Sequence, residues 1–149
     1  MLGEHGIWEK QKFYEGSARV PLLIHAPGQD FPRQCCKNVS LCDLYATVAE
    51  TAGIPLPPGL DSRSLLPLAQ TPGAPWDDEA VCVSCGDNLM LKRGSLKYQF
   101  YQEGALELLF DLARDPDELL DVHQDAEYAA AMAAFRRRAR DFGFCPSSL

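Results

Sequence analysis

A chain of 149 residues, 46% of them hydrophobic, can bury a real core and is expected to form one domain or a piece of one, which excludes a disordered polypeptide. Its formal net charge of -7 excludes a nucleic-acid partner, because neutralising phosphates needs a basic face, and it disfavours anionic membranes in the same way. The longest nearly uncharged apolar run, VPLLIHAPG, is far too short to cross a bilayer, and no basic-then-apolar leader stands in the chain as written.

Residues 1–18 read as a loop with a turn or two of helix. The run RVPLLIHA, Arg19 to Ala26, reads as a strand closed by Pro27 and Gly28, and its nearly continuous apolar character is the mark of a strand covered on both faces in a mostly parallel sheet. Ser40 is placed as a helix N-cap with Asp43 at the third helical position; Leu41, Leu44, Tyr45, Val48 and Ala52 then share one face before Gly53 ends the helix. Residues 54–79 hold six of the eleven prolines and read as connector, with RSLLPLA as a short helical turn. Three strand-like runs follow, AVCVSC, NLMLKRGSLKYQFY with a turn at Arg93 and Gly94, and LELLFDL, and together they predict a small antiparallel sheet. In DAEYAAAMAAFRRRARDF, the residues Tyr128, Met132, Phe135, Ala139 and Phe142 recur at helical spacing, so a terminal helix is expected to pack on that sheet. The expected division is 1–79 and 80–149. Arg136, Arg137, Arg138 and Arg140 read as a solvated face whose charges complement the helix C-terminus.

Six cysteines are too few and too scattered for a disulfide scaffold. Adjacent Cys35 and Cys36 rarely pair with each other, which points to reduced thiols and a cytoplasmic protein. Cys82 and Cys85 have the spacing of half a zinc site or a redox dithiol, but their flanks alternate like a strand and no second pair of ligands follows, so they are expected to be buried strand cysteines. The sequon Asn38, Val39, Ser40 matters only in a secreted protein. No GxGxxG, phosphate loop, HExxH or GxSxG motif is present. His5, His25 and His123 are isolated, and Glu4 beside His5 is a poor joint ligand because neighbours on an extended chain point to opposite sides.

Four phrases stand in a fixed order: MLGEHGIWEKQKFYEGSARVPLLIHAPG, VSLCDLYATVAETAGIPLPPGLDSRSLLPLA, LKRGSLKYQFY and ELLFDLARDPDELLDV. Together they resemble the C-terminal part of the sulfatase family, relatives of alkaline phosphatase, and the first phrase is similar to the choline-sulfatase branch. The resemblance implies an α/β fold: the end of an alkaline-phosphatase-like sheet, then a small antiparallel subdomain with a terminal helix. In the family a metal-binding Asp-His-Gly segment stands just ahead of LGEHG, so the chain is expected to begin downstream of it. The nucleophile, a formylglycine made in a C-x-P-x-R or S-x-P-x-R motif, belongs nearer the N-terminus of the full enzyme. Cys145 is not that residue, since proline follows it directly and no arginine comes after.

By the same resemblance, Lys10 matches the lysine that reaches the sulfate group, where a fixed cation helps neutralise the oxygen that departs as the S–O bond breaks. Lys12 lies off the matched position and reads as a solvated lysine. Glu15 and Arg19 match family positions expected to hold this loop against the sheet, and Trp8 and Tyr14 are candidates to wall the substrate pocket, though aromatics beside an apolar run more often belong to a core. The family also implies Ca²⁺ or another divalent cation in the full-length enzyme, with no metal ligand in this segment. A small sulfate ester, choline sulfate first, is the expected substrate of a homo-oligomeric enzyme that contacts neither nucleic acid nor membrane. A phosphonate or phosphate monoester hydrolase, or a noncatalytic protein that kept a sulfatase tail, are the alternatives. Ala46, where many relatives have proline, and Ser62, where many have glycine, are departures expected to fall in scaffold.

Overall fold

The computed structural model describes residues 1–10, 12–28, 31, 34–84 and 87–146. They fall into two compact units, Met1–Pro21 with Val81–Leu149, and Leu22–Ala80. The elements in chain order are helix α1 (Glu15–Ala18), helix α2 (Asp43–Thr51), helix α3 (Leu66–Gln70), strands β1 (Glu79–Ser84), β2 (Asn88–Arg93), β3 (Leu96–Tyr101) and β4 (Leu106–Asp111), and helix α4 (Ala129–Asp141). No helix among the described residues is long and apolar enough to cross a membrane.

In the first unit the strands lie in the order β1-β2-β3-β4. A tight turn through Gly94 and Ser95 joins β2 to β3 and pairs Arg93 with Leu96, one residue later than the sequence places it. The register divides the sheet into two faces, because successive side chains on a strand alternate. Leu89, Leu91, Tyr98, Phe100 and Leu109 form one, and against it lie Tyr128, Met132, Phe135 and Ala139 of the C-terminal segment, all buried. The rings of Tyr98 and Phe135 stack at 5.6 Å. The other face carries Met90, Lys92, Lys97, Gln99, Tyr101, Leu108 and Phe110, and there Phe13 packs on Met90 and Tyr101. Strand β3 is therefore covered on both sides.

Phe142 does not complete the α4 stripe. The helix stops at Asp141, Gly143 turns the chain at φ 81, and Phe144 comes back to bury its ring edge-on against Phe100 at 6.1 Å. Arg136 also departs from the solvated face expected of it: its guanidinium grips the buried Glu107 carboxylate through Nε at 2.9 Å and Nη2 at 2.8 Å. Cys82 is exposed rather than buried, because β1 is an edge strand and only one side of it meets the sheet. Cys85 lies outside the described residues.

The second unit is built around Leu65, Leu68 and Ala74, with Ile24, Val39, Leu44 and Trp76 packed on them. Helix α2 begins at Asp43 with Cys42 at its N-cap, two residues later than expected, although the Ser40 N–H does donate to Asp43 Oδ2 at 2.9 Å; it is closed by Gly53 at φ 67, with the Ile54 N–H reaching back to the Ala49 carbonyl at 2.9 Å. Its inward face is not the predicted one. Asp43, Ala46, Thr47 and Ala49 are buried, whereas Leu41, Tyr45 and Val48 are exposed. The cause is polar: residues 62–65 are strapped to the helix by Ser62 Oγ receiving the Ala46 N–H at 2.9 Å, Asp43 Oδ1 receiving the Arg63 N–H at 3.0 Å, and Thr47 Oγ1 receiving the Leu65 N–H at 2.9 Å. Small side chains let that strand of connector approach closely.

RVPLLIHA is not a strand. Its residues take no sheet partner among the described residues, and Leu23 is 89% exposed. A strand buried on both faces requires hydrogen-bonded neighbours, and Pro21 in addition removes a donor.

Candidate functional site

The candidate site lies in the described residues 1–10 and 12–19. Its first residues fold back on themselves: Leu2 bridges Trp8, the Gly3 N–H donates to the Ile7 carbonyl at 3.2 Å, and the Glu9 N–H donates to the Met1 carbonyl at 3.2 Å. Closing so short a loop forces His5 to φ 56 and Glu9 to φ 78, the left-handed region that side-chain-bearing residues rarely enter. Lys10 follows directly and is exposed, with no ion-pair partner among the described residues. Trp8, 67% exposed, stands out from the loop.

Beyond Lys10 the segment is pinned to the sheet. The Lys12 ammonium sits over the Tyr101 ring at 4.7 Å and Phe13 is buried beneath it. Tyr14 is stacked on His5 at 3.8 Å and tilted against Phe110 at 5.9 Å, so its ring ties the loop to β4. Burial, with Glu118 and Asp121 nearby, pushes the Tyr14 hydroxyl above its ordinary range. At the start of α1, Glu15 Oε1 lies 2.9 Å from Lys97 Nζ and Oε2 lies 3.0 Å from Lys92 Nζ. Burial alone would push the Glu15 carboxyl up, but the two ammonium groups outweigh it and hold the pKa below the usual carboxylate range. The Glu15 N–H is taken by Glu118 Oε2. Arg19, largely exposed, approaches Glu15 Oε2 at 4.0 Å.

The five residues singled out by sequence thus occupy one segment in two settings: Trp8 and Lys10 are presented outward, while Tyr14 and Glu15 are built into the packing, with Arg19 at its margin. Sequence reasoning passed over Lys92, Lys97 and Glu118. A usable signal was there: a two-residue turn in KRGSLK sets Lys92 directly across from Lys97, and like charges in that position repel unless a carboxylate lies between them. Among the described residues no three His, Cys, Asp or Glu side chains converge into a donor set.

A family profile, N-sulphoglucosamine sulphohydrolase, C-terminal, matches residues 3–82. The chain belongs to the sulfatase C-terminal family. Arylsulfatase K of Homo sapiens is 40% identical to this sulfatase chain over 133 residues, which cover 80% of the chain and 25% of that protein. A solved structure described as in complex with its substrate D-glucosamine-2-N,6-O-disulfate superimposes on 95% of the chain and 33% of its own with a TM-score of 0.71, at 22% identity. The phosphonate monoester hydrolase of Agrobacterium radiobacter superimposes on 66% of the chain and 23% of its own with a TM-score of 0.52, at 25% identity. The fold is that of the C-terminal part of alkaline-phosphatase-like sulfatases, with its four-stranded antiparallel sheet and terminal helix. The sulfatase chain spans about a quarter of the length of the curated relatives it matches.

Membership corrects the compartment. Arylsulfatase K is a lysosomal or secretory sulfatase, not a cytoplasmic one. Cys35 and Cys36 are indeed free and exposed, but unpaired thiols on a surface do not fix where a protein resides.

Proposed function

We propose that this chain is the C-terminal region of an enzyme that hydrolyses sulfate esters, that the nucleophile and the metal ligands lie in the remainder of the parent, and that Lys10 contributes the cation that faces the sulfate. The observation that carries the reading is the placement of Lys10: an exposed ammonium at the end of a closed loop, with Phe13 and Glu15 farther along locked onto a buried sheet face. A charge presented from such a base needs little reorganisation when negative charge builds on the departing oxygen, which is where electrostatic catalysis is most effective. Trp8, beside it, would wall the pocket; Tyr14, Glu15 and Arg19 would hold the loop. The divalent cation that the family implies would supply Lewis-acid help at the sulfate, from ligands outside this chain.

The similarity to arylsulfatase K and to a structure holding a sulfated glucosamine supports aryl or sugar sulfates as substrates, while the opening phrase supports choline sulfate. The likeness to a phosphonate monoester hydrolase favours a second reading, hydrolysis of phosphonate monoesters. Both are tested on the full-length enzyme, assayed with an aryl sulfate, sulfated glucosamine, choline sulfate and a phosphonate monoester. Sulfate turnover is expected to exceed phosphonate turnover, and the reverse order selects the second reading. Lys10→Met keeps the apolar stem and removes the charge, so turnover is expected to fall on the order of a hundredfold or more while folding survives. Arg137→Met, on the exposed side of α4, is expected to cost less than about threefold. Equal effects from the two changes remove the assignment of Lys10.

A further inference from the structure

Lys97 lies in the middle of β3 with 0% of its surface exposed. Its ammonium is 2.9 Å from Glu15 Oε1 and 2.8 Å from Glu118 Oε1, and Glu118 is itself 3% exposed. Lys92, directly across the hairpin, closes the group on Glu15 Oε2 at 3.0 Å. Two ammonium groups and two carboxylates cancel in charge, but withdrawing Lys97 and Glu118 fully from water, and Lys92 and Glu15 in large part, is costly, and a well-packed apolar set of the same volume commonly holds a fold as well or better. Stability is therefore a poor account of this cluster. Geometry is a better one.

The Glu15 carboxylate is gripped from two sides by cations and its N–H is taken by Glu118, so the first turn of α1 is fixed in both place and rotation. To make that bond Glu118 holds φ 56, a conformation which a residue bearing a side chain sustains only when its surroundings impose it. Between this anchor and the closed loop Met1–Glu9 stands Lys10. We infer that Lys97 and Glu118 are positioning residues for Lys10: acting through Glu15, they fix the downstream end of the segment that carries it, so that its ammonium is offered at one point. The inference rests on the proposed contact between Lys10 and sulfate. A cation displaced by about 1 Å can lose on the order of a hundredfold in rate, so an anchor remote from the chemistry can govern turnover.

The test uses the full-length enzyme, with Lys97→Met, Glu118→Gln and the two combined, each made in the wild-type and in the Lys10→Met background. Turnover of an aryl sulfate, KM and thermal unfolding are measured for all. Glu118→Gln keeps an oxygen for the Glu15 N–H and is the mildest change; the combined variant removes one charge of each sign and folds where Lys97→Met alone leaves two carboxylates face to face. In the wild-type background kcat is expected to fall roughly 10- to 100-fold with KM within about threefold. In the Lys10→Met background the same changes are expected to alter kcat less than about twofold, because what they position is gone. Equal fold losses in both backgrounds, or wild-type turnover from a folded combined variant, overturns the inference. Wild-type turnover from Lys10→Met itself overturns the sulfate contact, and the positioning role with it, whatever the other variants do. Arg137→Ala, on the exposed side of α4, serves as the unaffected control.

Discussion

Ala46 and Ser62, the two positions read from the sequence as departures from the family pattern, meet in the structure. The Ser62 hydroxyl receives the Ala46 N–H at 2.9 Å and donates to the Cys42 carbonyl at 2.6 Å, so it stands between a donor and an acceptor that would otherwise face each other across one turn. A relative with proline at the first position has no N–H to satisfy, and glycine at the second then suffices. Ser62→Gly is accordingly expected to cost about 1 kcal/mol, and Ala46→Pro in that background to recover most of it, since proline is tolerated near the start of a helix; denaturant midpoints of the two single variants and the double variant check this. The Glu107 site carries a prediction with a pH sign. Burial pushes its carboxyl up, but the Arg136 guanidinium and the Tyr98 hydroxyl at 2.7 Å outweigh burial and hold the pKa below the ordinary value. A carboxylate so lowered adds stability above its unfolded value of roughly 4.3 and loses it as pH falls through the folded one. Arg136→Met strands the charge and is expected to cost roughly 3 kcal/mol at pH 7, with the gap to wild type narrowing by pH 4 in the same denaturant titration. Neither pair was legible in the sequence. Periodicity says which side of a helix Arg136 is on, not that a carboxylate from β4 waits across from it.

At the scale of elements, the hairpin and α4 were legible because each announces itself locally, by alternation in one and by spacing in the other. The misreadings are of two physical kinds. Extending the α4 stripe to Phe142 assumes the helix goes on, whereas Gly143 ends it and hands the position to Phe144. Phe144→Ala is therefore expected to destabilise by about 3 kcal/mol and Phe142→Ala by about 1 kcal/mol or less, read from thermal unfolding. The second kind concerns what covers a face. Tyr45 and Val48 do share a side of α2 as their spacing predicts, but a stripe does not reveal its cover, and it is the polar straps from residues 62–65 that choose the buried side. RVPLLIHA fails as a strand for the same reason: its composition describes an environment that the described residues do not supply.

Across the whole molecule, the family was legible from four phrases in order, while the pairing of the first phrase with the last sheet was not, since nothing local encodes it. The unit Leu22–Ala80 leaves Leu23, Leu41, Tyr45 and Val48 exposed, Tyr45 and Val48 both on α2. Expressed by itself, the chain is expected to self-associate as concentration rises, and Tyr45→Lys with Val48→Lys to reduce this, as followed by sedimentation velocity. The same preparation is expected neither to turn over aryl or choline sulfate above buffer nor to bind Ca²⁺ tightly by calorimetry, and activity in it would remove the proposal that the reacting centre lies elsewhere in the parent. The bond between Glu15 and Glu118 also sets a schedule. The two residues are 103 positions apart. At the pace of ribosomal synthesis, about 5–20 residues per second, roughly 5–20 s pass between the emergence of one and of the other. For most of that interval the sheet face that Phe13 and Tyr14 rest on has not been made, so the segment proposed to face the sulfate emerges well before the Glu118 anchor that fixes it.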